Sequence, residues 1–179
     1  MDDIELLAEY ATKNSEAAFQ ELVERHVHLV FSAALRQTRD RQLADDVTQA
    51  VFVILARKAH RMAKRVVLAG WLHRTAWMAA KQAVRNEIRR KQREQAASEL
   101  DSATADAALT IAWEQCSPTI DEALNHLSGP DRDAILLRFF QEKSLKQIGS
   151  ALGCSEEAAK KRVSRALEKL RRFFGARGV

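Results

Sequence analysis

Lys160, Lys161 and Arg165, with Ser155, Glu156, Glu157 and Ala158 just before them, could read DNA without any covalent chemistry. Ala159, Val163, Leu167, Leu170 and Phe174 step by four, four, three and four, the period of a buried helical stripe, and the three cations fall outside it. Cations on the free face of such a helix hold phosphates, while side chains near its start reach base edges. A second set, Trp71, Arg74, Lys81, Arg85 and Arg89, interleaves aromatic and cationic groups along one long helix. Aromatic rings can stack on unpaired bases, each stack worth about 1–3 kcal/mol. Trp71 and Trp77 would serve equally well as core residues; Arg85 and Arg89, one turn apart, are the firmer phosphate contacts. A third set, Asp46, Gln49 and Phe52, recurs every three residues beside the Val47–Val51 stripe. A polar pair beside an exposed aromatic suits a protein–protein contact. The plainer reading is a solvated helix face with Phe52 turned inward.

No set of residues suits bond-making chemistry. The chain has no Gly-rich phosphate loop, HExxH, GxSxG or carboxylate pair in an apolar stretch. His26 and His28, two apart, point to different helix faces, and His60, His73 and His126 are isolated. All five read as surface or interface residues. Cys116 and Cys154 form no CxxC and suggest a reducing compartment without disulfides. The chain reads as a non-enzyme needing neither cofactor nor metal.

These side chains must be held by helices. Two prolines and six glycines in 179 residues, with abundant Ala, Leu, Arg, Lys, Glu and Gln, argue for an all-α protein. Ser144–Leu152 reads as a helix, with Gly149 allowing a close approach and Gly153 supplying a left-handed turn. Ser155 then caps the basic helix, so the pair forms a helix-turn-helix. An ordinary αα-hairpin with a solvated basic face is the alternative. Upstream, Ile120, Leu124 and Leu127 mark one helix, and Ser128-Gly-Pro-Asp starts another carrying Ile135, Leu136, Leu137, Phe139 and Phe140. This makes a four-helix second domain over 119–175. The first domain, 15–92, reads as three or four helices: one capped by Ser15, one over about Arg41–Lys58, a short helix and loop ending at Gly70, and a long helix from Trp71. Between them, 93–118 reads as a flexible acidic linker: Glu94–Pro118 has no Lys or Arg and is rich in Ala, Ser and Thr. A net charge of +5 and a pI near 9.5 favour a polyanionic partner. The acidic start lacks a signal-peptide pattern and no apolar run is long enough to span a bilayer, so a cytoplasmic protein with no membrane partner is expected.

The order of these parts resembles the bacterial extracytoplasmic-function sigma factors, the smallest members of the sigma-70 family. The resemblance spans Ala17–Gln92 (region 2) and Thr119–Phe174 (region 4). It is most specific in Leu127-Ser-Gly-Pro-Asp-Arg-Asp and in Gly153-Cys-Ser-Glu-Glu-Ala-Ala-Lys-Lys-Arg-Val-Ser-Arg-Ala. It implies a subunit that binds core RNA polymerase and directs promoter-specific initiation. Asp46, Gln49 and Phe52 would lie in the helix that docks on the β′ clamp helices, with Phe52 bracing it, and region 4 would meet the β flap. The loop Ala63–Gly70 with Arg65, and the helix carrying Trp71, Arg74, Lys81, Arg85 and Arg89, would hold the opened −10 element. Ser155, Glu156, Glu157, Ala158, Lys160, Lys161 and Arg165 would face the −35 element. The resemblance also raises an anti-sigma protein as a partner. Met78 and Gln82, where many members carry Asn and Asp, and Ala158-Ala159, where Thr-Val is commoner, prevent transfer of any promoter sequence. Other readings of the same residues are a stand-alone helix-turn-helix regulator and an accessory of a nucleic-acid-processing enzyme.

Overall fold

Helix α1 (Asp3–Lys13) opens on a reciprocal cap: the Asp2 carboxylate accepts from the Glu5 N–H and the Glu5 carboxylate from the Asp2 N–H, each at 2.8 Å. The acidic start of the chain is thus a cap for a helix that carries buried Leu6 and Leu7, an element the sequence reading does not anticipate. Ser15 caps α2 (Glu16–Thr38), as its position predicts, and Asp40 caps α3 (Arg41–Lys58). A short 3-10 turn, Ala59–Arg61, follows. The computed structural model describes residues 1–62, 66–93 and 119–178 in full and the backbone alone of 94–97 and 111–118. Every regular element among them is helical, and none of these helices is long and apolar enough to cross a membrane.

The long basic helix α4 runs Leu68–Ala97, so it starts three residues before Trp71, and Gly70 lies inside it rather than closing a loop. The second half holds α5 (Ile111–His126), α6 (Gly129–Phe139), α7 (Leu145–Leu152) and α8 (Glu156–Gly175). The interval 93–118, expected to be a flexible linker, is helical at both ends. The rest of it lies outside the described residues.

Two apolar cores result. Leu22, Val30, Val51, Leu55, Leu72 and Ala76 anchor the first, among α1–α4. Leu124, Leu136, Ile148, Ala159 and Ala166 anchor the second, among α5–α8. Leu29 of α2 and Ala69 of α4 belong to this second core, so the two halves pack against each other. At that seam Gly70 meets Asp133: a Cβ on Gly70 would lie 1.7 Å from Asp133 Oδ1, so a larger residue there would have to displace the Asp133 side chain.

Candidate nucleic-acid interface

The turn between α7 and α8 is fixed by its own backbone. Ser144 and Gln147 cap α7 reciprocally, at 3.3 and 2.8 Å. Gly153 takes φ 67°, and the Cys154 N–H donates to the Gly149 carbonyl at 2.8 Å, closing the helix end. The chain packs tightly there: a Cβ on Gly149 would meet the Cys154 carbonyl oxygen at 2.7 Å. The close approach expected at Gly149 is therefore real, but the neighbour is the turn itself and not another helix. Ser155 Oγ accepts from the Ala158 N–H at 3.2 Å and starts α8.

Along α8 the buried residues are Ala159, Val163 and Ala166. Leu167, Leu170 and Phe174, expected in the same stripe, are half-buried. With Ile120, Leu124, Ile135, Phe139 and Phe140 they line an open apolar groove of about 200 Å³. Phe139 and Phe140 remain 53% and 44% exposed at its mouth.

The cations of α8 sort into two groups. Arg162 and Lys169 turn inward to Asp131, at 3.1 and 2.6 Å. Burial pushes the Asp131 carboxyl up, but Lys169, Ser128 and Arg162 outweigh it and hold it below the ordinary range. Arg172 pairs with Glu168. Lys160, Lys161 and Arg165 are exposed and have no carboxylate partner among the described residues, and Ser155, Glu156, Glu157 and Ala158 are exposed beside them. Helix α4 repeats the pattern. Glu87 takes Arg90 and Lys91, while Arg74, Lys81, Arg85 and Arg89 stay exposed and close no ion pair among the described residues, Lys81 being near enough to Glu122 to help hold that carboxyl low. Lys81 Nζ sits 4.3 Å from the centre of the half-buried Trp77 ring. Trp71 packs against the first core, so of its two readings the structural one holds for most of its surface. Met78, between Arg74 and Lys81, is 56% exposed. Arg65 lies outside the described residues.

On α3, Asp46 and Gln49 are exposed as expected. Phe52 is not: at 7% exposure it is part of the first core, and it can brace the helix but not offer its ring to a partner. The apolar residue on the Asp46–Gln49 face is Val53, 49% exposed. The step from Gln49 to it is four, not three, and the 3.6-residue period allows either. Among the histidines, His26 and His73 are buried at helix interfaces, each with Nε2 2.9 Å from a carboxylate, of Asp3 and Asp121 respectively.

Two exposed cationic faces, one on a helix-turn-helix, sit on an all-helical frame with a free acidic/Gln face. The family comparison agrees: the sigma-70 region 2 model matches residues 22–94 and the sigma-70 region 4 model residues 118–170. The RNA polymerase sigma factor CarQ of Myxococcus xanthus is 31% identical over 165 residues, covering 90% of this chain and 91% of CarQ. The chain is an RNA polymerase sigma factor of the sigma-70 family, in the extracytoplasmic-function group. Region 2 sets this sigma factor apart from a stand-alone helix-turn-helix regulator. Among solved structures, CnrH in complex with the cytosolic domain of CnrY is 22% identical with a TM-score of 0.48, over 98% of this chain and 99% of that one. RpoE of Bartonella quintana, in complex with the anti-sigma factor NepR, is 21% identical with a TM-score of 0.39, over 88% and 96%.

Proposed function

We propose that this sigma factor grips polymerase and promoter through four separate surfaces. Asp46, Gln49 and Val53 of α3 dock on the β′ clamp helices of core polymerase. The apolar groove at Phe139 and Phe140 receives the β flap, because an open trough lined only by apolar side chains suits the apolar face of a helix. Arg74, Lys81, Arg85 and Arg89 hold the opened −10 strand, with Trp77 and Met78 offering apolar surface to an unstacked base. Lys160, Lys161 and Arg165 hold phosphates at the −35 element, while Ser155, Glu156, Glu157 and Ala158 face its major groove.

The observation that carries this assignment is the sorting of the cations. On both helices some basic side chains are tied up by buried or neighbouring carboxylates, while Lys160, Lys161 and Arg165 stay open within the first half of α8 and Arg74, Lys81, Arg85 and Arg89 along α4. Region 2 (15–92) and region 4 (119–175) then act on different forms of DNA. Region 4 binds duplex, while region 2 stabilises bases taken out of a melted duplex. Extruding a base costs a few kcal/mol, and stacking and pocket contacts offset it, so selectivity rests on which base is captured. The sigma factor contributes no covalent step; polymerase does the chemistry, in the cytoplasm. The acidic stretch within 93–118 threads toward the RNA exit path. An anti-sigma protein belongs among the partners, as NepR does for the RpoE of B. quintana.

The test is reconstitution. Purified protein mixed with core polymerase should form a complex and start transcription at a cognate promoter. The double variant Asp46→Ala/Gln49→Ala should lose the complex while keeping its helical content. An intact complex with that variant would overturn the docking assignment.

A further inference from the structure

Two buried charges of region 4 face region 2, and only one of them is satisfied. Asp121, on α5, has no exposed surface and is well supplied. Arg36 donates through Nε to Oδ2 at 2.8 Å and through Nη2 to Oδ1 at 2.7 Å. Gln37 Nε2 donates to Oδ2 at 3.3 Å, and His73 Nε2 lies 2.9 Å from Oδ1. Arg132, near the start of α6, is as deeply placed at 7% exposure, yet its buried Nε has no hydrogen-bond partner among the described residues. The nearest carboxylate oxygen, Asp133 Oδ1, is 4.0 Å from that Nε, beyond hydrogen-bond reach. A guanidinium has five N–H donors and a charge it does not shed, so burial leaves it in need of acceptors.

The surroundings of Arg132 add positive charge instead of removing it. A Cβ built on Gly129 would have Arg132 Nη2 as its nearest contact, at 3.9 Å, so the guanidinium folds back beside the first turn of its own helix. No side chain caps that turn. Ser128, at the cap position, helps instead to hold the Asp131 carboxyl low, and Pro130 has no N–H, so the Gly129 and Asp131 N–H groups make up the positive end of the helix. Arg74 approaches from region 2: it lies one turn beyond Gly70 on α4, and Gly70 abuts Asp133. Burial pushes the Arg132 guanidinium down, Asp133 pulls it up, and Arg74 pushes it down again. The two nearby carboxylates compensate little. Asp131 is engaged by Lys169 and Arg162 of α8, and burial pushes Asp133 up to about 6 in spite of Arg132. Ser128, Pro130 and Arg74 are exposed, which leaves a way in from solvent.

We propose that Arg132, Arg74 and the first turn of α6 form a binding site for a phosphate group, with Arg132 as its buried anchor and Arg74 closing it from region 2. A tetrahedral phosphate matches this set of donors. Two of its oxygens accept the forked guanidinium, and the others remain for Arg74 and the helix N–H groups, whereas a carboxylate has only two oxygens in all. The site stands apart from the −10 reading, but its consequence rests on that reading. A phosphate held there occupies Arg74, one of the side chains assigned to the opened strand.

Calorimetric titration of the full-length protein with inorganic phosphate, at constant ionic strength, tests the site. Binding should saturate, which separates it from the general stabilising effect of phosphate on folded proteins. Arg132→Gln and Arg74→Gln should each weaken it about tenfold or more, the size expected when a charge-assisted hydrogen bond is lost. In phosphate-free buffer Arg132→Gln should melt at or above wild type, because a buried charge without acceptors is gone; saturating phosphate should raise wild type and leave the variant where it was. A short oligothymidylate without terminal phosphates, titrated in parallel, separates the two sources of a phosphate group. Saturable binding of inorganic phosphate names a free phosphate compound, and oligonucleotide binding that alone depends on Arg132 names the backbone of a strand. Binding of neither probe, or equal affinity in both arginine variants and wild type, would overturn the site. If Arg132→Gln fails to fold, Arg74→Gln, at an exposed position, decides the matter. An error in the −10 assignment would leave phosphate binding intact and show instead as unchanged promoter binding in Arg85→Ala.

Discussion

Replacing Gly149 with Ala tests the helix-turn-helix geometry most directly. The new Cβ would lie 2.7 Å from the Cys154 carbonyl oxygen and 3.2 Å from both the carbonyl carbon and oxygen of Ser155. These are backbone atoms, so no rotamer change relieves the contact and the whole turn must move. In an unobstructed helix Gly→Ala gains about 1 kcal/mol. Overpacking a filled site costs about 1–3 kcal/mol, and a contact with rigid backbone puts this case at the upper end. The net loss is then about 1–2 kcal/mol. How far the melting point falls depends on the size of the unit that melts. At about 2.1 cal/mol/K of unfolding entropy per residue, region 4 melting alone would drop by about 8–16 °C. If the seam at Asp121 makes the chain melt as one body, the same loss spreads over 179 residues and the drop is about 3–5 °C. Calorimetry reads both the shift and the unit size from the transition enthalpy. Gly175→Ala, which meets nothing within 4 Å, serves as the control and should melt at or slightly above wild type. A Gly149→Ala protein as stable as wild type would refute the argument from the turn.

Four further outcomes are expected. Lys160→Ala and Lys161→Ala should weaken promoter binding by the polymerase complex and lower the slope of log affinity against log salt by about 0.9 for each phosphate no longer neutralised; an unchanged slope would place these lysines away from DNA. Val53→Glu should weaken core binding without moving the melting point, since the side chain is 49% exposed, and equal binding by pull-down would remove it from the docking face. Burial pushes Asp133 up to about 6, with Arg132 pulling the other way; an unfolded Asp ionises near 3.8, so the folded protein holds the extra proton between these values and stability falls as pH rises through that window. Asp133→Asn should abolish that fall in urea titrations at pH 4.5 and 7.5, and a parallel fall in the variant would sink the assignment. Asp3 behaves oppositely: burial pushes it up, but His26, Arg25 and Gln141 together pull it down to about 2, so its contribution is full above the ordinary 3.8 and is lost as pH falls toward 2. Asp3→Asn should lose stability at pH 7 and show a shallower acid transition; an acid transition identical to wild type would contradict that pull.

What could be read from sequence depended on the range of the interactions involved. The helix-turn-helix is legible because its determinants are local: a reciprocal cap at Ser144, a left-handed Gly153 and a cap at Ser155 lie within a dozen residues. Choices between adjacent positions are harder. Phe52 and Val53 differ by one helical step, and the 3.6-residue period allows either to face outward until the neighbouring helices are in place. Leu167 and Ala166 pose the same problem: the larger side chain claims the stripe by hydropathy, yet it is Ala166 that is buried while Leu167 opens onto a groove. The seam between the regions leaves no periodic trace at all. Arg36, His73 and Asp121 are separated by 37 and 48 residues, and each looks like a surface group or an isolated histidine on its own helix. Only their convergence gives the buried Asp121 carboxylate its partners. Charge placed at such a seam differs physically from further apolar packing. Apolar groups favour contact at almost any orientation, whereas a carboxylate held by a forked guanidinium accepts one geometry and is well solvated once released.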